Sequence, residues 1–185
     1  MKLTSFKIAF TSLALAATLF SCSVVTETVS LETPAQTFDI SDIFEGGGNS
    51  ATQELNIKEL LESNPMITKE KMEEAILSSV TISKTDSAGL SAVRGAKLSF
   101  SSDDLPMVAV ANKNDITGAD KELTLDILDD TEIAEYLNQD VIYVTLDIDY
   151  TADQDETQVV SASIKFDVEV RSEEHTSELQ SRVDL

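Results

Sequence analysis
From residue 77 onward, apolar and polar side chains alternate with a period of two, which predicts strands that bury one face and wet the other. Val80 and Ile82 alternate with Ser79, Thr81 and Ser83, and Leu98 and Phe100 open another strand beyond the small-residue loop around Gly89 and Gly95. Met107 to Ala111 is a continuous apolar run after Pro106, and Leu123, Leu125 and Ile127 alternate with Thr124 and Asp126. The longest alternations come last: Ile142, Val144, Leu146, Ile148 and Tyr150, then Val160, Ala162, Ile164, Phe166, Val168 and Val170. With the polar, acidic stretch Thr151 to Thr157 between them, these two are expected to form a long hairpin whose turn exceeds two residues.

Between about residues 56 and 76 the pattern is helical. Asn56 can cap a helix, with Glu59 three residues on, Ile57, Leu60 and Leu61 as its apolar stripe and Asn64-Pro65 as its stop. Thr68 is expected to start a second helix with Met72, Ala75 and Ile76 on one face, so that a helical segment covers about 56–76. A further turn or two is expected at Thr131 to Leu137, where Ile133, Tyr136 and Leu137 share a face. Thr37 to Ile43 fits an edge strand, and the Gly46-Gly47-Gly48-Asn49-Ser50 that follows breaks regular structure. The triplet lacks the spacing of a phosphate-binding loop and no lysine follows it, so it is a loop. Seven or eight strands without a strand-helix-strand rhythm predict a mainly β chain. The expected fold is an antiparallel β-sandwich with two or three short helices, immunoglobulin-like in architecture only, because the Cys and Trp hallmarks are missing.

The two ends of the chain stand apart from this pattern. At the N-terminus, Lys2 and Lys7 precede about 13 mostly apolar residues from Ile8 to Phe20, and the stretch closes on Leu19-Phe20-Ser21-Cys22. That run is shorter than the roughly 20 residues of a membrane span and fits a processed targeting peptide. The layout resembles a bacterial lipoprotein signal. The resemblance implies that residues 1–21 are removed and that Cys22 becomes the first residue and carries the lipid, palmitate among its acyl chains. Residues 22–32 would then form a lipidated tether and 33–170 the β-sandwich domain. Ser23 is not the aspartate that marks inner-membrane retention in some lipoproteins, so the resemblance implies the outer membrane, at its periplasmic face or the cell surface. At the other end, Arg171 to Ser181 reads RSEEHTSELQS, which resembles, at all eleven codons, the translation of a common short-read sequencing adapter. Residues 171–185 are therefore read as an artefactual tail rather than native protein.

Setting both ends aside leaves residues 22–170, enough chain for one domain with a real core, carrying 9 basic against 30 acidic residues, a net charge of −21. Such a surface repels nucleic acid and anionic head groups, so attachment to a membrane must come from the lipid on Cys22. Envelope proteins, glycans and cations remain as partners. Once Cys22 is acylated no thiol is left, and the single histidine, His175, belongs to the tail. Disulfides, thiol catalysis, a Ser-His-Asp triad and histidine or cysteine metal sites are thereby excluded from the native part.

The candidate chemistry is carboxylate chemistry. Asp147, Asp149, Asp153, Asp155 and Glu156 lie within ten residues at a strand end and loop, and calcium prefers six to eight such oxygens. An EF-hand register from Asp147 puts Ala152 at the glycine position and Gln158 at the glutamate position, so the match is poor. The competing reading is a solvated acidic edge that discourages strand-to-strand aggregation. Asp126, Asp129 and Asp130 form a second group, with Asp129 or Asp130 fitting a cap for the helix at Thr131, and Asp103 with Asp104 a third. A glycosidase acid and base would need only two facing carboxylates, and nothing in the spacing selects a pair. A glycan reader would need an exposed aromatic ring. With no Trp and three tyrosines, Tyr143 on the polar side of its strand is the candidate, against the plainer reading of an amphipathic surface residue. The expected function is a lipid-anchored structural, binding or adhesion module without catalysis, with calcium or glycan binding, or an acidic hydrolase, as the rivals.

Overall fold
The computed structural model describes residues 26–41, 49–84, 89–117, 121–128, 133–153 and 156–171. The chain is mainly β, an antiparallel sandwich of two sheets. The first sheet joins β1 (Thr26–Glu32), β10 (Gln158–Arg171), β4 (Met72–Ser83) and β7 (Glu122–Thr124) in that order, with β2 (Gln36–Ile40) also paired to β10. The second runs β3 (Asn49–Asn56), β9 (Val141–Tyr150), β5 (Val93–Ser101), β6 (Val108–Lys113), β8 (Asp126–Ile127). Two short helices are present among the described residues, α1 (Ile57–Glu62) and α2 (Ala134–Leu137).

The expected hairpin of the last two strands does not form. β9 pairs with β3 and β5, whereas β10 pairs with β1, β2 and β4 in the other sheet. Each strand has neighbours on both sides and one inward face of large apolar groups, so the two face each other across the core instead of lying side by side. Residues 151–157 provide the length needed to cross the roughly 10 Å between packed sheets. The inward rows of Ile142, Val144, Leu146 and Ile148 and of Val160, Ile164, Phe166 and Val168 are essentially fully buried. Phe100 of the second sheet lies with its ring centroid 6.1 Å from that of Phe166 of the first and 6.2 Å from that of Tyr136 at α2.

The expected helix from Thr68 is also absent, and its apolar face belongs to β4. Register shifts against β10 leave Glu73 and Ser78 as extra residues, so the apolar positions fall at Met72, Ala75, Leu77, Val80 and Ile82. Spacings of three and two imitate one face of a helix, and Ile76, assigned to that face, is exposed instead. Another bulge, at Val110 between the pairs Leu98↔Ala111 and Ser99↔Ala109, explains the unbroken apolar run before it.

Crossings close the sandwich on both sides. Residues 122–128 do not form one strand: Leu123 pairs with Ile82 in the first sheet, the Leu125 amide donates to the Val80 carbonyl, and Ile127 pairs with Ala111 in the second. A strand that changes sheets makes a corner. On the other side, β2 ends in the first sheet and β3 begins in the second. β1 and β2 together line one edge of β10, interrupted at Pro34, which cannot donate to a ladder and is confined to edges. Thr33 bridges the gap, its amide donating to the Ile164 carbonyl at 2.9 Å and its Oγ1 accepting from the Ile164 amide at 3.2 Å.

Thr26–Glu32 is thus strand, not tether, and only residues 23–25 separate it from Cys22. Arg171, assigned to the tail, closes β10 opposite Thr26. The α1 expectation holds closely: Asn56 Oδ1 accepts from the Glu59 amide at 3.1 Å, and Ile57, Leu60 and Leu61 are buried. Cys22, Asp129, Asp130 and residues 172–185 lie outside the described residues.

Candidate functional site: a polar cleft at Tyr143
Tyr143 is the third residue of β9, on its outer face, where it pairs with Glu54 of β3 and Ser101 of β5. It forms one wall of a cleft of about 430 Å³ shared with Asp103, Asp104, Asn138, Gln139, Asp140 and Val141. Two short connections build the remainder. Between β5 and β6, Ser102 Oγ accepts from the amides of Asp104 at 3.2 Å and Leu105 at 2.9 Å, a side-chain turn that presents both aspartates outward. Between α2 and β9, the Asn138 and Gln139 amides donate back to Ala134 and Tyr136, so the chain turns at once into the strand. The buried Tyr136 fastens these connections together, its hydroxyl donating to the Pro106 carbonyl at 2.6 Å.

The cleft is acidic, with Asp103, Asp104 and Asp140 on its walls. Tyr143 donates to Asp103 Oδ1 at 3.2 Å, and that hydrogen bond to the carboxylate holds the phenol above its ordinary range. Asp140 is held below the usual carboxylate range by its hydrogen bond to Lys69 Nζ, at 2.7 Å, and by the charge of that ammonium. Burial pushes the Tyr136 phenol up. Hydrogen bonds hold Glu32, Glu70 and Asp140 below the usual carboxylate range, and among the described residues no Asp or Glu is buried. A general acid needs the opposite environment. What the cleft offers is a ring face, two side-chain amides and three carboxylates, a set that accepts and donates hydrogen bonds to hydroxyl groups.

The five carboxylates suggested for calcium are dispersed. Asp147 pairs with Lys97 at 2.9 Å across the β9–β5 ladder, and Asp149 takes Arg94 in a two-pronged contact, Nε to Oδ2 at 2.9 Å and NH2 to Oδ1 at 3.0 Å. Asp153 and Glu156 are exposed, and Asp155 lies outside the described residues. Among the described residues, no group of three or more acidic, His or Cys side chains is placed to hold a metal ion. The cleft itself was half legible in the sequence: Tyr143 and the pair Asp103-Asp104 were each singled out, but only the β5–β9 pairing brings them together. Asn138, Gln139 and Asp140 carried no signal beyond the end of a short helix.

Comparison with known proteins adds no family. No family model matches the chain, and no curated protein does. Among solved structures, one of infectious bursal disease virus Gx strain aligns over 81% of this chain at 14% identity and TM-score 0.36, and this chain spans 33% of that one. A Desmodium yellow mottle tymovirus structure aligns over 95% of this chain and 99% of its own at 7% identity and TM-score 0.28. An empty-head turnip yellow mosaic virus structure aligns over 96% and 94% at 14% identity and TM-score 0.30. Scores of this size carry no inference about function.

Proposed function
We propose that this chain is a lipid-anchored, non-catalytic binding module of the cell envelope, fastened to the outer membrane through acylated Cys22. The observation that carries the non-catalytic part is the state of the acids: among the described residues all are at least partly exposed, and several are committed to lysine or arginine. A rigid two-sheet body with an acidic surface supports recognition better than proton transfer. The anchor rests on the signal-like N-terminus alone. Metabolic labelling with radioactive palmitate tests it: the wild type takes up label and Cys22→Ser does not, and an unlabelled wild type would remove the anchor.

The Tyr143 cleft favours a neutral glycan as the ligand over calcium, because the ring and the two amides suit a sugar face and hydroxyls. Thermal unfolding with glucose oligomers and with N-acetylglucosamine oligomers checks this, since a ligand that binds the native state raises the transition by mass action. A rise that Tyr143→Ala abolishes supports the cleft. No rise with either series, or a rise unchanged in the variant, rejects it.

A further inference from the structure
We infer that the end of the sandwich holding Thr26 is a lipid-contacting surface that rests on neutral, zwitterionic head groups. The inference depends on acylation of Cys22 and goes further, because it fixes which part of the body meets the bilayer. Thr26 opens β1 opposite Arg171, whose amide donates to the Lys71 carbonyl, and Met72 pairs with Val170 beside it. The second sheet ends at the same level through Asn56↔Val141, Ser101↔Tyr143 and Phe100↔Val108, and the Lys69–Asp140 ion pair at 2.7 Å ties the two sheets there. That end therefore gathers residues 57–71, 101–107 and 138–141. Ile40, Ser83, Tyr150 and Gln158 mark the opposite end.

Reach decides which end can touch the membrane. Four residue steps from Cys22 to Thr26 span at most about 14 Å, whereas the fourteen residues of β10 extend about 46 Å. The far end cannot be brought to the anchor while the near end is held away. Side-chain chemistry agrees. Of the five large apolar side chains exposed among the described residues, Met66 (49%), Met107 (59%) and Val141 (37%) all belong to the Thr26 end. Ile76 sits on the outer face of the first sheet and Val159 at the opposite end.

End-on contact offers flexible methionines and a valine to the interface. Its head groups must be neutral overall: Lys58, Lys69, Lys71 and Arg171 are there, but Glu59, Glu62, Glu70, Glu73, Asp103, Asp104 and Asp140 outnumber them. The end marked by Ile40, Ser83, Tyr150 and Gln158 then faces away from the membrane, and the Tyr143 cleft, lined by Asp103, Asp104 and residues 138–141, belongs to the membrane-side end.

The test uses the full-length, processed protein in phosphatidylcholine and phosphatidylethanolamine vesicles, with a polarity-sensitive fluorophore on Met66→Cys, Met107→Cys or Val159→Cys in turn. Nitroxide-labelled lipid is expected to quench positions 66 and 107 severalfold more than 159, and Cys22→Ser is expected to stay in solution. Flotation with equal quenching at the three positions, or stronger quenching at 159, overturns the end-on contact and leaves the anchor standing. A wild type that does not float removes the anchor and this inference with it. Amide exchange on the unsubstituted protein provides a second reading: vesicle binding slows exchange in 64–71 and 102–107, and unchanged exchange in both segments overturns the contact.

Discussion

The contact between Phe100 and Phe166 gives the sharpest energetic test of packing between the two sheets, because the rings come from β5 in one and β10 in the other and meet across the core. Both side chains are fully buried, with ring centroids 6.1 Å apart and planes inclined by 43°. Truncating either to alanine removes its transfer free energy and leaves a cavity, a loss of about 4 kcal/mol from a domain whose total is on the order of 10. For a chain of this size that lowers the melting temperature by about 12 °C. The tilted pair adds about 1 kcal/mol beyond area burial. Urea unfolding of the wild type, Phe100→Ala, Phe166→Ala and the double variant closes a cycle, and the two losses should fall short of additivity by about that amount. Phe100→Leu should recover more than half of the loss. A single-variant cost below about 1.5 kcal/mol would mean that Phe100 is not in a packed core. Additivity within about 0.3 kcal/mol would mean that the rings do not touch.

Three further outcomes follow from individual contacts. Asn56→Ala should cost about 1 kcal/mol in urea unfolding by removing the cap of α1, and Asn56→Asp should restore most of it. Tyr136→Phe should cost about 1 to 2 kcal/mol, because the Pro106 carbonyl loses its buried donor, and it should loosen the 102–107 connection so that amide exchange there accelerates. The Lys69–Asp140 pair should appear only in a comparison across pH. Asp140 is depressed in the folded state, so the contribution is complete above the ordinary carboxylate range and disappears as pH falls through the lowered value. The stability difference between wild type and Lys69→Met should therefore be present at neutral pH and vanish in strong acid, and a difference that persists there would assign it to packing of the lysine stem.

The fold class was legible because its signal is redundant: β9 and β10 repeat the same alternation over ten and fourteen residues, and a few irregular positions cannot hide it. Pairing was not legible, because alternation states which face is buried and not which neighbour lies alongside. The sequence neighbours β9 and β10 were expected to pair, yet the loop between them is long enough to change sheets. Bulges misled in a particular way. Extra residues at Glu73 and Ser78 turned the strand period of β4 into spacings of three and two, which a single sequence cannot tell from a short helix. Leu125 shows the converse error, since one unbroken alternation from Leu123 to Ile127 serves both sheets.

The acids show why the site was harder to read than the fold. With 30 of them in 149 residues, almost any window holds a cluster, so density along the chain carries little information about proximity in space. The run from Asp147 to Glu156 was the densest, and its two strand positions are matched to Lys97 and Arg94 on β5. Asp103 and Tyr143, forty residues apart, touch because Ser101 pairs with Tyr143 and the chain turns immediately after it. Cross-strand register is thus what separates a neutralised carboxylate from one left facing an aromatic ring. An opposite charge directly across a ladder contributes to sheet pairing and has little capacity left for a ligand. The carboxylate beside Tyr143 meets a neutral hydroxyl instead, and a sugar hydroxyl could exchange with that phenol without leaving a charge unpaired. This distinction makes Tyr143→Phe a test of the proposed glycan site: by removing only the hydroxyl it leaves the ring in place and frees Asp103 to accept from a ligand, so if the proposal holds, any glycan-induced rise in melting temperature should persist or grow in Tyr143→Phe and be lost in Tyr143→Ala.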